Sequence, residues 1–446
     1  MVAQGFTQVE GLDFNKTFAP VAKFSSFCTI LALAAKHNLE FHQMDIKAAY
    51  LNGVLEEEIY MELPSGLKVS EGMVFCLIKA VYSTKQGGQV WYLNIKKTLK
   101  EMGYQCTHAD HAIFTCHRDG ILSIMVIYMD DFSIALNSLE SIEKDKEELK
   151  KQYQMTDLGE INWILGVHIT HNHKAGTITL SQERYIEDIL QCFNKSDLCP
   201  ISTPALANEH LTKLPFPKIN TTLYQCTLGA LMYPMLGTRP DIAYAIAALG
   251  HHAASPGPKH QHALDCLFRY LKATKDHVLT FRWGITGGTT LQGFADTDWA
   301  SDINDWKSTS GYVFILTGGA ISWSSKKQGS IALSSTEAEY IAATHTAKEA
   351  IWLRQLLTEL LHPLDSPTTL FVDNQSTIAI AKNPKFHDQT KHIDVCYHFL
   401  QQKVDNSKIT LSYIPTNAQP ANALTKRLCR EKHNKFMLEM GICHVH

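Results

Sequence analysis

The sequence of 446 residues predicts a mixed α/β and α+β fold with two or three domains. Three observations support this prediction. Strand-like and helical runs alternate over residues 1–200, residues 223–275 are helical, and the last region has the strand–strand–helix–strand order typical of a mixed sheet. The segment 204–222 lacks periodicity and contains three prolines, which predicts a linker between domains.

Composition limits the classes of protein to which the chain can belong. A hydrophobic content of 45% and a charged content of 19% are globular values, and no apolar run is long enough for a membrane helix. The eleven cysteines have no metal-site spacing and predict reduced thiols. The start MVAQGFTQVEG does not resemble a signal peptide. We therefore expect an intracellular protein, in a cytoplasmic particle or the nucleus, that is neither secreted nor membrane-bound.

Periodicity and capping residues predict the individual elements in chain order. We expect a helix over 24–38, a strand over 39–50, a helix over 90–104, a hairpin over 121–136, a surface helix over 138–155 and a helix over 335–361.

Two adjacent aspartates lie where the predicted hairpin should turn. Asp130 and Asp131 separate the apolar runs ILSIMVIY and FSIAL, and Asp45 lies within a third strand-like run. If these strands are neighbours, the carboxylates converge, and clustered carboxylates favour hard cations such as Mg²⁺. The alternative is ordinary turn chemistry, because aspartate is common in turns.

A second acidic set occupies the last region. Asp296 lies near the end of a strand-like run, and Asp373 ends the run TLFVD. Ser334 and Glu337 fit a capping box at the start of a helix, which assigns Glu337 a structural task. Glu339, two residues further on, should then point elsewhere.

Longer motifs carry a resemblance to a known family. The segments MDIKAAYLNGVLEEEIYMELPSG, YMDD, DLGEINWILGVHI, TRPDIAYAI, DWKSTSGYVFIL and LSSTEAEYIAA occur in that order. Together they resemble the reverse transcriptase of Ty/copia-type retrotransposons over nearly the whole chain. The resemblance implies partial fingers and palm over 1–203, a linker and helical thumb or connection over 204–285, an RNase H-like mixed sheet with flanking helices over 286–430, and a tail over 431–446.

The resemblance also implies two sites. Asp45, Asp130 and Asp131 match the metal ligands of the polymerase, and Tyr50 matches the residue beneath the nucleotide sugar, although a buried filler is the alternative for Tyr50. Gln86 matches a template- and nucleotide-contacting residue, and Lys47 is a basic candidate near the triphosphate. Asp296, Glu339 and Asp373 match three of the four RNase H carboxylates. His392 and Asp394 match a segment near that site, with a capped amphipathic helix as the alternative.

Several positions depart from the family pattern. The loop after Tyr82 holds Ser83, Gly88 and Gln89 in place of Gly, Pro and Arg, and its paired glycines should loosen it. Asn422 stands where the fourth RNase H carboxylate is expected, and Cys396 stands where an arginine is expected. The family's basic fingers segment would precede Met1. We therefore expect an N-terminally truncated, partly degenerate copy with weak or lost activity.

The expected function is RNA-directed DNA synthesis with RNase H cleavage of RNA–DNA hybrids, both at two-metal Mg²⁺ sites for which Mn²⁺ is an alternative ion. The partners would be an RNA template, a DNA primer, the hybrid and dNTPs, with integrase or capsid proteins of the element as further candidates. Two alternatives stay open: a catalytically silent nucleic-acid-binding remnant or domesticated module, and an untranslated pseudogene product with no role.

Overall fold

The computed structural model describes residues 3–63, 72–118, 120–205, 211–212, 219–284, 290–361, 364, 366–382 and 394–444. Two compact units divide the chain. Unit 1 contains Met1–Phe27, Leu39–Ile161 and Thr358–His362, and unit 2 contains Cys28–Asn38, Asn162–Leu357 and Pro363–His446. Within the described residues, no helix combines the length and the apolar character that crossing a membrane requires.

The described part of the first 160 residues contains three α-helices and eight strands. The helices are α1 Phe24–His37, α2 Gly87–Glu101 and α3 Leu139–Gln152; the strands are β1 Glu40–Ile46, β2 Val54–Met61, β3 Phe75–Lys79, β4 Gln105–Cys106, β5 Ile113–Arg118, β6 Ile121–Tyr128, β7 Asp131–Leu136 and β8 Met155–Glu160.

Six of these strands form one antiparallel sheet in the order β4-β5-β6-β7-β1-β8. The predicted hairpin is present as β6 and β7, and β1 pairs with β7 on its other side. Alternating apolar residues of β6, β7 and β1, such as Met125, Phe132 and Met44, bury one face of the sheet against Trp91 and Ile95 of α2. This packing places the β6–β7 turn beside the end of β1.

Two local predictions for this unit were wrong. Strand β1 ends at Ile46 and not at residue 50, because Ala48 takes a left-handed φ of 54° and a 3₁₀ helix follows over Ala49–Asn52. The paired glycines do not form a loose loop either. Gly87 opens helix α2, and a Cβ on Gly87 would meet Thr84 Oγ1 at 2.6 Å. The glycine therefore permits close packing at the start of the helix.

Unit 2 contains the remaining described elements. The strands are β9 Trp163–Ile164, β10 Val167–Asn172, β11 Thr177–Ser181, β12 His277–Arg282, β13 Gln292–Asp298, β14 Thr309–Leu316, β15 Gly319–Lys327, β16 Thr368–Val372, β17 Ile409–Tyr413 and β18 Ile442–His444; the helices are α4 Glu183–Cys192, α5 Thr221–Gly237, α6 Ala243–Gly250, α7 Pro258–Ala273, α8 Ser335–Leu361, α9 Gln375–Lys382, α10 Asp394–Asp405 and α11 Arg430–Glu439.

Two five-stranded sheets organise the described residues of unit 2. The antiparallel sheet has the order β18-β12-β11-β10-β9, so its edge strand comes from the last described residues. The second sheet has the order β15-β14-β13-β16-β17, with antiparallel pairs among its first three strands and parallel pairs from β13 through β17. This second sheet is the mixed sheet that the strand–strand–helix–strand order of the last region predicted.

A buried ion pair lies among the helices of unit 2. Arg239 Nε and Nη2 each donate to one oxygen of Asp241, at 2.9 and 2.8 Å, and both side chains are fully buried. Tyr270 donates to the same carboxylate at 2.6 Å, and Arg239 also donates to Thr274. Because both buried charges are paired and hydrogen-bonded, removing them from water costs much less free energy than it would for unpaired charges.

Candidate metal centres

The carboxylates of Asp296, Glu339 and Asp373 meet at one point of unit 2. Each offers a ligand oxygen, and these oxygens all lie within 4.8 Å of one another. Asp296 lies on the central strand β13, Asp373 directly follows the neighbouring parallel strand β16, and Glu339 lies in the second turn of α8. Strand order therefore brings together side chains that are far apart in sequence.

Helix α8 is positioned by the capping residues that the sequence indicated. Ser334 Oγ accepts from the backbone N–H of Glu337 at 3.2 Å, and the Glu337 carboxylate accepts from the N–H of Leu333 at 2.8 Å. This arrangement is a variant of the capping box, since the return bond reaches one residue before the cap. Glu337 is thereby used structurally, and Glu339 is left to face Asp296 and Asp373.

Burial and mutual repulsion strongly disfavour three ionised carboxylates at this point. Burial, followed by the charges of Asp296 and Asp373, raises the pKa of Glu339 to about 9. Burial also raises the pKa of Asp296 to about 6, although Lys426 and Thr425 oppose this shift. Glu339 Oε2 is buried and has no hydrogen-bond partner among the described residues. The site is thus deficient in positive charge, and a divalent cation coordinated by oxygens would correct that deficiency.

One cation and two hydroxyls already contact the cluster. Lys426 Nζ lies 3.4 Å from Asp296 Oδ2, and the Thr425 hydroxyl donates to the same oxygen. The Thr416 hydroxyl donates to Asp373 Oδ2 at 2.8 Å. Sequence reasoning did not single out these three residues, although Thr425 and Lys426 belong to the motif QPANALTK that drew attention to Asn422.

Asn422 lies in a 3₁₀ helix, Pro420–Leu424, ahead of α11 and not at the start of a longer helix. Its Nδ2 donates to the Thr416 carbonyl at 2.6 Å, and its Oδ1 is buried without a partner among the described residues. Thr416 in turn bonds Asp373, and Thr425 joins Asn422 O to Asp296. Asn422 is therefore one hydrogen-bonded residue away from each aspartate.

The aspartates Asp45, Asp130 and Asp131 lie at the β6–β7 turn of unit 1. Asp45 is the cross-strand partner of Asp131, so their side chains share one face of the sheet. Asp130 occupies the two-residue turn with Met129, which has a left-handed φ of 57°. Trp91 Nε1 donates to Met129 O at 3.0 Å, and Ile46 N–H donates to Asp130 O at 3.0 Å. These bonds hold the turn next to the end of β1.

These three aspartates are less closely gathered than the set in unit 2. In the described part of the chain, they do not bring three ligand oxygens within 4.8 Å, and none of them forms an ion pair. Burial is the main cause that raises the pKa of Asp130 and of Asp131, and the charge of Asp45 adds to both shifts. Gln43 Nε2 donates to Asp131 Oδ1 at 3.2 Å, which directs that carboxylate along β1.

A tyrosine that sequence reasoning missed contacts this turn directly. Tyr82 donates its hydroxyl to Asp130 Oδ2 at 2.9 Å, while Asp130 Oδ1 is buried without a partner among the described residues. Burial and this hydrogen bond raise the pKa of Tyr82 to about 12. The Tyr50 ring packs edge-on against Tyr82, with centroids 4.6 Å apart. Tyr82 directly precedes the loop that contains Ser83, Gly88 and Gln89, but nothing in the sequence of this loop indicated the contact.

The other predicted contacts have different environments. Tyr50 is half-buried, and burial followed by the charge of Asp130 raises its pKa. Lys47 is exposed directly after β1. Gln86 is only 1% exposed; its amide donates to Asp13 O and Glu57 Oε2. A substrate contact by Gln86 stays a prediction that requires these bonds to break. His392 lies outside the described residues, and Asp394 begins α10.

Comparison with known proteins identifies the class. Residues 1–207 match the family model described as reverse transcriptase (RNA-dependent DNA polymerase). A retrovirus-related Pol polyprotein from transposon TNT 1-94 of Nicotiana tabacum is 40% identical over 459 residues, covering 100% of this chain and 34% of that relative. A Pol polyprotein from transposon RE2 of Arabidopsis thaliana is 34% identical, covering 100% of this chain and 30% of that relative. The chain thus spans about a third of the length of these two relatives.

A shorter relative is covered completely. A transposon Ty5-1 protein of Saccharomyces cerevisiae is 34% identical over 312 residues, which are 69% of this chain and 100% of that protein. Among solved structures, a foamy viral protease-reverse transcriptase in complex with RNA/DNA hybrid aligns with 12% identity and a TM-score of 0.47, covering 84% of this chain and 44% of that chain. From the sequence relatives and the matched model, the chain belongs to the copia-type retrotransposon Pol polyprotein family and carries its reverse transcriptase domain.

Proposed function

We propose that the chain cleaves the RNA strand of an RNA–DNA hybrid, with Mg²⁺ held by Asp296, Glu339 and Asp373. The single observation that carries this proposal is the convergence of these three carboxylates within 4.8 Å. When bound there, two metal ions would supply a nucleophile from water and stabilise the leaving oxygen. The hybrid would be recognised mainly through its backbone and groove shape.

The surrounding residues have supporting tasks in this proposal. Thr425 and Thr416 each donate to one carboxylate oxygen, of Asp296 and of Asp373 respectively, and so restrict the orientation of these side chains. Lys426 offsets part of the negative charge from the side of Asp296. Glu339, which burial and its neighbours keep protonated in the metal-free protein, would release its proton when a divalent ion binds.

The test is cleavage of a hybrid whose RNA strand carries a fluorophore, with and without Mg²⁺. Asp373→Asn removes the least buried ligand and should lower the rate by at least about 100-fold, since a metal ligand is worth several kcal/mol of transition-state stabilisation. The control is Asp405→Asn, an exposed aspartate on α10, which should cleave like the unmodified chain. Equal Mg²⁺-dependent rates for Asp373→Asn and the unmodified chain would exclude this site.

A second candidate activity is templated DNA synthesis from dNTPs at the β6–β7 turn. It is favoured by the pairing of Asp45 with Asp131 and by the turn bonds that place Asp130 beside them. Here Asp45, Asp130 and Asp131 would hold Mg²⁺, and Lys47 and Tyr50 would face the nucleotide. Primer extension on an RNA template tests this function: Asp130→Asn should abolish extension, whereas the exposed Glu148→Gln on α3 should not change it. Extension by Asp130→Asn would refute the assignment.

A further inference from the structure

A group of metal-binding side chains in unit 2 has no task in either proposed activity. Asp276 precedes strand β12, His277 is the first residue of β12, and His444 is the last residue of β18. His277 and His444 are cross-strand partners in the antiparallel sheet. The pairing of two distant segments therefore places two imidazoles and a carboxylate together at one end of the sheet edge.

The distances within the group suit chelation of one ion. His277 Nδ1 lies 3.2 Å from Asp276 Oδ1, and His444 Nδ1 lies 2.9 Å from Asp276 Oδ2. One ligand atom from each of the three residues falls within 4.8 Å of the others. Two ligands on a tetrahedral zinc ion, each about 2.0–2.1 Å from the metal, are roughly 3.3–3.5 Å apart, which is close to these separations.

The ligand types in this group suit a borderline divalent ion such as Zn²⁺. His277 and His444 each direct Nδ1 towards the carboxylate of Asp276. The set therefore offers one carboxylate and two imidazoles. Imidazole nitrogens favour Zn²⁺ over Mg²⁺, which prefers oxygen ligands.

We propose that Asp276, His277 and His444 form a zinc-binding site that fastens strand β18 to strand β12. His277 is buried against the sheet, whereas the side chains of Asp276 and His444 are 45% and 53% exposed. An ion from solvent therefore has access, and water would complete the coordination of a site with three protein ligands. The bound ion would link the edge strand, which has only three residues, to its neighbour through side chains as well as through backbone hydrogen bonds.

The experiment is a zinc titration of the full chain, stripped with EDTA and dialysed, in competition with a chromophoric chelator. We expect one site whose affinity falls at least about tenfold in His444→Gln and in Asp276→Asn, as is typical when a ligand of a metal site is altered. His108→Gln, an exposed histidine of unit 1, is the matched control and should keep the site. Asp373→Asn should keep it too, which separates this site from the carboxylate cluster.

Thermal unfolding gives an independent readout. Zinc should raise the melting temperature of the unmodified chain and of His108→Gln, but not that of His444→Gln, because binding to the folded state alone stabilises it. The chain has other histidines and eleven cysteines, so the comparison with His444→Gln decides the outcome. Equal zinc affinity and equal thermal shifts in the unmodified chain and His444→Gln would overturn the proposal.

Discussion

Asn422→Asp is the substitution whose effects the structure defines most sharply. It would place a fourth carboxylate one hydrogen-bonded residue away from Asp296 and Asp373. The amide is 2% exposed, and its Nδ2 donates to Thr416 O at 2.6 Å. The change exchanges that donor for an acceptor and adds negative charge to a cluster in which Glu339 already has a pKa of about 9.

In the metal-free protein this change should destabilise the fold. If the new carboxyl group is ionised, the Thr416 carbonyl loses its donor, which costs about 1–3 kcal/mol. If it is protonated, its O–H can donate to that carbonyl and the repulsion is relieved, but keeping a carboxyl group protonated at neutral pH, well above its ordinary pKa, itself costs free energy. We therefore expect the melting temperature without divalent ions to fall by a few degrees, on the scale of about 2–4 °C per kcal/mol for domains of 150–250 residues.

With Mg²⁺ present, the effect of Asn422→Asp on stability should change from destabilising to stabilising. A unit charge about 4 Å from another contributes roughly 4 kcal/mol at an effective dielectric constant of 20. If a gain of that size falls entirely on the transition state, it corresponds to about a thousand-fold in the rate of hybrid cleavage. The expected result is a less stable metal-free protein that Mg²⁺ stabilises more and that cleaves faster.

The assay combines thermal unfolding and cleavage of a labelled hybrid, each with and without Mg²⁺. Asn417→Asp is the control: it makes the same chemical change at an exposed asparagine of the preceding segment and should alter neither readout. If Asn422→Asp gains no Mg²⁺-dependent stability and no rate over the unmodified chain, then Asn422 does not face the metal ions, and the reasoning about this position fails.

Three further results are expected. The pKa of Glu339 is raised from 4.5 to about 9, so the folded protein holds a proton that the unfolded chain releases, and metal-free stability should fall as pH rises from about 4.5 to 9. Urea unfolding at pH 5 and pH 8 should show that Glu339→Gln loses less stability between these two pH values than the unmodified chain. An equal loss of stability in both proteins would contradict this. Ser83 has a left-handed φ of 71°, so Ser83→Gly should stabilise the fold by about 1 kcal/mol, measured by urea unfolding; a destabilised variant would argue against strain there. Asp241→Asn should cost roughly 3–5 kcal/mol because it leaves Arg239 buried without its counter-charge, and a melting temperature like that of the unmodified chain would disprove this.

The sequence predicted the elements that carry strong local patterns. The hairpin, the mixed sheet, the cap at Ser334 and the strand-borne positions of Asp45 and Asp296 all follow from periodicity or from capping residues. Asp373 was likewise predicted at the end of a strand, since it directly follows the apolar run of β16.

What the sequence did not predict depends on contacts between distant segments. The hydrogen bond from Tyr82 to Asp130 joins a loop to a hairpin, and the side-chain amide of Gln86 donates to residues of two other segments. Strand β1 was predicted to end too late, because Ala48 takes a left-handed conformation that is uncommon for alanine and cannot be predicted from the residue type. The two glycines at the start of α2 suggested a loose loop, but a neighbouring side chain, that of Thr84, requires the small size of Gly87.

Strand β18 has a consequence for how unit 2 can be made in a cell. Its antiparallel sheet begins at Trp163 and is completed only by Ile442–His444, which pair with β12. The ribosome must therefore synthesise the chain as far as His444 before this edge is covered, and such non-local pairing is slow to form. Until then the N–H and C=O groups of β12 offer a template to other nascent chains, which is the usual route to aggregation. A stop codon or frameshift just before Ile442 would leave every proposed carboxylate ligand encoded and yet make that exposure permanent.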